Sequence, residues 1–181
     1  TVGNAVPTGL CGSGLIDLVA QLRKAELIDE SGHLESGQEI PGRFVLVPPE
    51  KSANGKGVYL TQKDIGEVQL AKAAIAAGIC LLKKQLSITE EKIQTVYIAG
   101  AFGNYMNPKS AAMIGMLPES LLERIVPVGN AAGEGAKIAL LNKKERQEMN
   151  QTVGHMEFVE LAVSPEFQDC FIDELCFPEL S

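Results

Sequence analysis

Positive charge is scarce in this chain of 181 residues. Lysine and arginine together number 16, against 23 aspartates and glutamates, and the formal net charge is −7. Surfaces that bind the phosphate backbone of nucleic acids or an anionic membrane need clustered lysine and arginine. The composition therefore predicts a protein that binds neither nucleic acid nor a membrane.

Long apolar runs are also lacking. No stretch approaches the ~20 consecutive apolar residues that cross a bilayer, and no basic and then apolar signal segment stands at Thr1. We therefore expect a cytoplasmic protein. Because the chain opens without an initiator methionine and soon reaches a predicted helix, we expect residues 1–181 to be one domain that is a C-terminal fragment of a longer protein.

Cysteine and histidine are few, with four and two residues. Their spacing matches no zinc or iron–sulfur motif, and no acidic residues surround the histidines in a catalytic pattern. We therefore expect free thiols, and surface or packing roles for both histidines. These residues are Cys11, Cys80, Cys170, Cys176, His33 and His155.

Apolar residues at three- and four-residue steps predict two prominent helices. One begins at Gly12 and leaves Asp17 and Arg23 for solvent. The other follows Thr61-Gln62-Lys63-Asp64, which has the form of a capping box. Its pattern predicts a buried central helix of about twenty-five residues, with Lys63 and Lys72 exposed.

Strand signals occur in three places. Residues 33–60 are rich in glycine and proline around the extended stretch 43–47, which predicts a small β-rich insertion. The continuous β-prone run 95–99 predicts a strand covered on both faces, and 125–128 predicts a second one. A further strand is predicted over 157–163. The fold class that follows is α/β, with a central sheet and a long central helix.

Glycine-rich turns precede helices at 9–14, 100–103 and 129–135, and two of them follow predicted strands. Glycine allows a phosphate or base to approach the backbone, and N–H groups at a helix start attract anions. One such turn alone is equally consistent with ordinary loop punctuation. Three together favour a nucleotide site.

The common phosphate motifs are absent from these turns. No Gly-Lys-Ser/Thr follows any of them, which excludes a Walker loop, and no acidic residue stands at the distance that a dinucleotide fingerprint needs. The arrangement that remains is actin-like, with nucleotide held between two lobes by separate glycine turns.

Several blocks of the chain resemble the reductive activators of corrinoid proteins, and together they cover essentially its whole length in order. They are Gly9–Asp17, Leu60–Ile65, Gln69–Lys72, Tyr97–Tyr105, Gly129–Gly133 and Pro165–Gln168 with Phe177-Pro178. The resemblance implies the C-terminal part of an actin-like, ribonuclease H-like ATPase domain.

In that family an ATP-dependent reductase returns cob(II)alamin on a corrinoid methyl-transfer protein to cob(I)alamin. The resemblance implies ATP with Mg²⁺, a corrinoid protein as partner, a homodimer, and a 2Fe–2S cluster in an N-terminal ferredoxin-like domain. This chain lacks the plant-type C-x₄-C-x₂-C spacing and the D-x-G-T phosphate turn, which puts independent catalysis in doubt.

The resemblance also implies site residues. A phosphate-facing turn would lie at the first helix, an adenosine turn after the first buried strand, and a closing turn at the last glycine block, with weaker ribose or base contacts from the long helix. These residues are Gly12, Ser13, Gly14, Gly100, Ala101, Phe102, Gly103, Asn104, Gly129, Asn130, Glu67 and Gln69. No catalytic residue or metal ligand is predicted, and Cys11, next to the first turn, is expected to pack.

Two alternatives remain open. The chain is also consistent with an interaction or dimerisation lobe that has actin-like geometry and binds no nucleotide by itself. A small-molecule kinase of the same fold is disfavoured, because no aspartate stands where a base for a substrate hydroxyl is needed.

Overall fold

A computed structural model describes residues 2–35, 42–100, 103, 105–161 and 163–180. The α-helices are α1 (Gly12–Lys24), α2 (Gln62–Leu86), α3 (Pro108–Met113), α4 (Ala131–Leu141), α5 (Lys143–Val153) and α6 (Pro165–Asp173). The strands are β1 (Arg43–Val47), β2 (Val58–Thr61), β3 (Val96–Ala99) and β4 (Ile125–Gly129). Short 3₁₀ turns lie at Val2–Asn4, Pro49–Lys51, Glu90–Lys92 and Glu119–Arg124.

The antiparallel pair of β1 and β2 confirms the strands predicted before the long helix. Phe44 lies opposite Leu60, and Arg43 opposite Thr61. Val58 and Leu60, which point to the same face of β2, are buried, and this face attaches the hairpin to the core.

Thr61 ends β2 and caps α2. Its backbone N–H donates to Asp64 Oδ2 at 2.8 Å, and the N–H of Asp64 donates to Thr61 Oγ1 at 3.2 Å. The predicted capping box is therefore confirmed, and α2 has 25 residues as predicted. Its apolar stripe is buried at Ile65 and Val68 but exposed at Leu86, so only part of the helix is a core element.

Among the described residues, α2 is long and apolar enough to cross a membrane by length and composition alone. A core helix of a soluble protein passes the same test. Here α2 packs along α6, and the side chain of Lys72, near its middle, is completely buried and donates to the Cys176 carbonyl. Packing therefore accounts for part of the apolar character of α2, while Leu70, Ile75 and Leu86 stay exposed.

The strands β3 and β4 pair in parallel, with Val96 opposite Ile125 and Ala99 opposite Gly129. Both strands were predicted, but the predicted cover on both faces is wrong within this chain, because Tyr97 is 68% exposed. The strand predicted over 157–163 is also wrong for its described residues, which form no ladder.

The main core contains residues of α1, the first half of α2, the segment around α3, and the C-terminal segment. Its most buried side chains include Val19, Ile28, Leu60, Ile65 and Ile114. Phe177 joins this core from the C-terminal segment, so the first helix and the end of the chain belong to the same cluster.

Two cations predicted to be exposed or solvent-facing are buried, and both predictions are corrected. Arg23 donates to the carbonyls of Ile28 at 2.8 Å and Pro178 at 2.6 Å, and Lys72 donates to Cys176 O at 2.5 Å. Both also lie near Phe177, 5.7 and 5.9 Å from its ring centroid. Their positive charge is compensated by backbone carbonyls of the C-terminal segment, which helical periodicity cannot reveal.

Candidate functional site

The first predicted turn forms the start of α1. Cys11 is the N-cap residue, and its sulfur accepts a hydrogen bond from the N–H of Gly14 at 3.4 Å and lies 3.4 Å from Ser13 Oγ. A Cβ on Gly14 would lie only 3.2 Å from Leu10, so glycine permits this close cap. Hydrogen bonding to Ser13, and then to Gly14, lowers the pKa of the Cys11 thiol.

The packing role expected for Cys11 is wrong, because its side chain is exposed. Cys11 and Gly14 instead line a cavity of about 540 Å³ together with residues 5–10 and the hairpin residues Leu46, Val47 and Val58. The first turn thus faces an open space with a polarised sulfur at its edge.

The second and third predicted turns meet each other. Gly100 follows β3 and Gly129 ends β4, and the N–H of Gly100 donates to the carbonyl of Gly129 at 2.6 Å. Both glycines have positive φ, 99° and 61°, and a Cβ on either would have no atom within 4 Å. As far as the described residues reach, the backbone at the carboxyl ends of these two parallel strands therefore has no side chain packed against the glycines, which leaves space for a ligand.

Asn130 fixes the helix that follows this pair. Its Oδ1 accepts the N–H of Gly133 at 3.0 Å and caps α4. A Cβ on Gly133 would lie 2.5 Å from the Asn130 amide nitrogen, so the cap needs glycine there. The strand, turn and helix order predicted for this block is confirmed.

Of the other residues in the predicted adenosine turn, only Gly103 is among the described residues. Gly103 is buried, and a Cβ on it would lie 2.2 Å from Ile98, which explains the glycine by close packing. Ala101, Phe102 and Asn104 lie outside the described residues.

The two candidates on α2 lie in different surroundings. Glu67 is exposed. The amide of Gln69 donates to the carbonyls of Ser31 at 3.0 Å and Leu175 at 3.1 Å, which ties the loop after α1 and the C-terminal segment to α2. A contact from Gln69 to a ribose or base stays a prediction. Both hydrogen bonds use the amide nitrogen, so such a contact would be made by the side-chain carbonyl oxygen.

Sequence reasoning missed Asp17, which was predicted to face solvent. It follows Ser13 by one helical turn, and its Oδ1 is buried without a hydrogen-bond partner among the described residues. Asp17 directly follows the apolar pair Leu15-Ile16, and a polar residue at such a position is typical of the exposed side of a helix, so the sequence did not indicate that its Oδ1 is buried.

The first turn and the Gly100–Gly129 pair are not joined by a hydrogen bond between described residues. They are linked through the core, where Ile16 of α1 belongs to the same cluster as Ile98 of β3. The structure therefore unites two of the three predicted glycine elements directly and the third only through packing.

Comparisons with known proteins bear on this arrangement. A family model described as the C-terminal domain of RACo, the ASKHA domain, matches residues 1–181. The corrinoid activation enzyme RamQ of Eubacterium limosum is 34% identical over 97% of this chain and 32% of its own length. The Co(II) methylated amine-specific corrinoid protein reductase of Methanosarcina barkeri is 26% identical over 93% of this chain and 29% of its own.

A solved structure of a reductive activator for corrinoid, iron–sulfur protein superimposes with a TM-score of 0.90 at 38% identity, covering 98% of this chain and 30% of that one. The predicted α/β, actin-like fold is thereby confirmed. The chain spans about a third of the length of the curated relatives it matches.

Proposed function

Because this chain belongs to the family of the C-terminal ASKHA domain of RACo, we propose that it is the nucleotide-binding C-terminal portion of an ATP-dependent reductive activator. The longer protein reduces cob(II)alamin to cob(I)alamin on a corrinoid methyl-transfer protein. The names of its relatives, which are corrinoid activation enzymes and reductases, support this role. The proposal places the protein in the cytoplasm.

The observation that supports nucleotide binding is the Gly100–Gly129 pair. Its backbone bond, its positive φ angles and the open space beside both α-carbons leave room for a base or ribose against the main chain. In open α/β sheets, ligands bind outside the carboxyl ends of parallel strands. Gly100 to Asn104 would receive the adenosine, and Gly129 with Asn130 would close that side.

The first turn would take the phosphate end. The N–H groups at the start of α1 and the helix dipole attract anions, although the Cys11 sulfur already accepts the N–H of Gly14. A phosphate bound there with Mg²⁺ would therefore compete with this cap. When bound, ATP supplies by its hydrolysis the free energy for the uphill electron transfer.

The electron source is proposed to lie elsewhere in the longer protein. The four cysteines do not have the spacing of a plant-type 2Fe–2S ligand set, and the described residues contain no group of three or more side chains suited to a metal ion. We therefore assign the cluster to a part of the parent protein outside this chain.

A matched pair of glycine variants tests the nucleotide site. Gly129→Ala and Gly55→Ala each place a Cβ at positive φ, 61° and 67°, with no atom within 4 Å. The backbone strain is therefore similar, about 1 kcal/mol, but only Gly129 lies at the proposed site. We expect Gly129→Ala to weaken MgATP binding about tenfold or more in calorimetric titration, and Gly55→Ala to leave it unchanged. Equal affinities of the two variants would contradict the site.

A second candidate function is an interaction or dimerisation lobe without nucleotide affinity of its own. It is favoured by the large apolar side chains that remain exposed, among them Leu140, Leu141 and Phe158, since contiguous apolar surface marks interaction sites. Titration of the 181-residue chain with MgATP separates the two. Absence of saturable binding by this chain, with ATP-stimulated cobalt reduction by the longer protein, would favour the lobe.

A further inference from the structure

Two cysteines that are distant in sequence meet where α6 packs against α2. Cys80 of α2 and Cys170 of α6 are 90 positions apart, and their sulfur atoms are 2.9 Å apart. Both are free thiols, Cys170 buried and Cys80 half-buried. We propose that Cys80 and Cys170 are a reversible dithiol–disulfide site that covalently fastens the C-terminal segment to the central helix.

Lys84 provides the charge that this chemistry needs. Its Nζ lies 3.3 Å from Cys170 Sγ, one helical turn beyond Cys80. The hydrogen bond from Lys84 to Cys170 raises the pKa of Lys84. The separate contact between the sulfurs of Cys80 and Cys170, together with burial, raises the pKa of Cys80. The Lys84 ammonium lies beside the sulfur pair and stabilises the negative charge that appears when a thiol proton leaves.

An oxidant can reach the pair through Cys80. This residue lines a cavity of about 350 Å³, whose wall also includes Ala76, Ile79 and Lys83 of α2 and Glu90. This volume is large enough to hold the sulfur end of a small organic disulfide. Cys170, which is buried, is positioned to resolve the first product.

The reaction is thiol–disulfide exchange with a small organic disulfide as oxidant. Cys80, as thiolate, attacks one sulfur of the oxidant and releases the other half as a thiolate, which takes up the proton that Cys80 lost. Cys170 then attacks Cys80 Sγ and releases the second half as a thiol. In total, the two protein thiols lose two protons and two electrons, and the oxidant takes up both and becomes two thiols.

The bond would add to existing non-covalent ties on the same helix. Gln69 donates to Leu175 O, and Lys72 donates to Cys176 O and lies 4.0 Å from Glu174 Oε2. From Gln69 to Lys84, one side of α2 thus holds the segment from Cys170 to Cys176. A disulfide that closes a long loop restricts the unfolded chain strongly, so oxidation is expected to raise the unfolding temperature.

The test is a peptide map of the reduced 181-residue chain after incubation with glutathione disulfide. We expect a linked peptide containing Cys80 and Cys170, while the exposed thiols Cys11 and Cys176 are found either alkylated or carrying glutathione, but not in this link. The unfolding temperature should rise by several degrees and return after treatment with dithiothreitol. Alkylation of both Cys80 and Cys170, or glutathione held on Cys80 beside a free Cys170, would overturn the proposal.

Single substitutions test which thiols form the bond and whether Lys84 promotes it. Cys80→Ser and Cys170→Ser should abolish the temperature shift, whereas Cys11→Ser and Cys176→Ser should retain it. Lys84→Gln should slow the exchange several-fold relative to Lys63→Gln, an exposed lysine on the same helix. A shift that survives Cys80→Ser would contradict the assignment, and equal exchange rates of the two lysine variants would contradict the role of Lys84.

Discussion

The two halves of the fold bury their apolar residues to different extents. Helix α1 buries Ile16, Val19, Ala20 and Leu22, and α2 buries seven residues along its length. Helices α4 and α5, which follow β4, bury none. The first region, together with α3 and the C-terminal segment, therefore carries the stability of the chain, while the region from β4 to α5 is held mainly by local contacts.

The difference does not come from composition. Helix α4 contains Ile138, Leu140 and Leu141, which are as apolar as the core residues of α1, yet Leu141 is 85% exposed. Apolar residues stabilise a fold only where other atoms exclude water from them. In the region from β4 to α5, the described chain supplies little such cover.

The largest effect that separates the regions is expected from matched leucine truncations. Leu81→Ala removes a fully buried side chain of α2 and should lower the free energy of unfolding by about 3 kcal/mol, because a cavity remains. Leu141→Ala on α4 should change it by less than about 0.5 kcal/mol. Urea denaturation measures both. Similar losses would show that α4 is buried in solution and would break the comparison.

A smaller effect is expected from the helix caps. Thr61→Ala removes the cap of α2 and should cost about 1 kcal/mol of global stability. Asn142→Ala removes the cap of α5, where Oδ1 accepts from the N–H groups of Lys144 and Glu145, but should mainly increase amide exchange within α5. An equal fall in global stability would contradict a locally held region.

The smallest effect concerns the buried cation of the core region. Burial lowers the pKa of Lys72, partly offset by Glu174. The folded protein therefore releases this proton at a lower pH than the unfolded chain, and stability should rise with pH between the lowered value and the usual ~10.4 of lysine. Lys72→Met should remove this rise and Lys63→Met should keep it, as judged by thermal unfolding across that window. Identical pH slopes for Lys72→Met and the wild type would contradict the assignment.

Local signals in the sequence were sufficient for most of the secondary structure. The capping box at Thr61 and the glycine turn before α4 each involve atoms within a few residues of one another. Their chemistry is therefore complete in the sequence. The strand predicted over 157–163 is wrong because apolar residues there have no partner strand in the described chain.

The candidate site was predictable to a lesser extent. Glycine patterns indicated three turns, but only the structure shows that Gly100 and Gly129 bond to each other. The bond depends on the parallel register of β3 and β4, which are separated by more than twenty residues of chain. The roles of Glu67, Gln69 and the first turn toward a nucleotide stay predictions.

The sequence by itself determined where helices begin, where glycine frees the backbone, and which family the chain resembles. The tertiary structure decided which polar side chains are buried. Arg23 and Lys72 have the periodicity of exposed residues, and Cys80 and Cys170 have an uninformative spacing, yet all four contact or approach one C-terminal segment. The physical reason is that burial of a charge or thiol depends on partners from distant parts of the chain, and these are brought together only when the chain is packed.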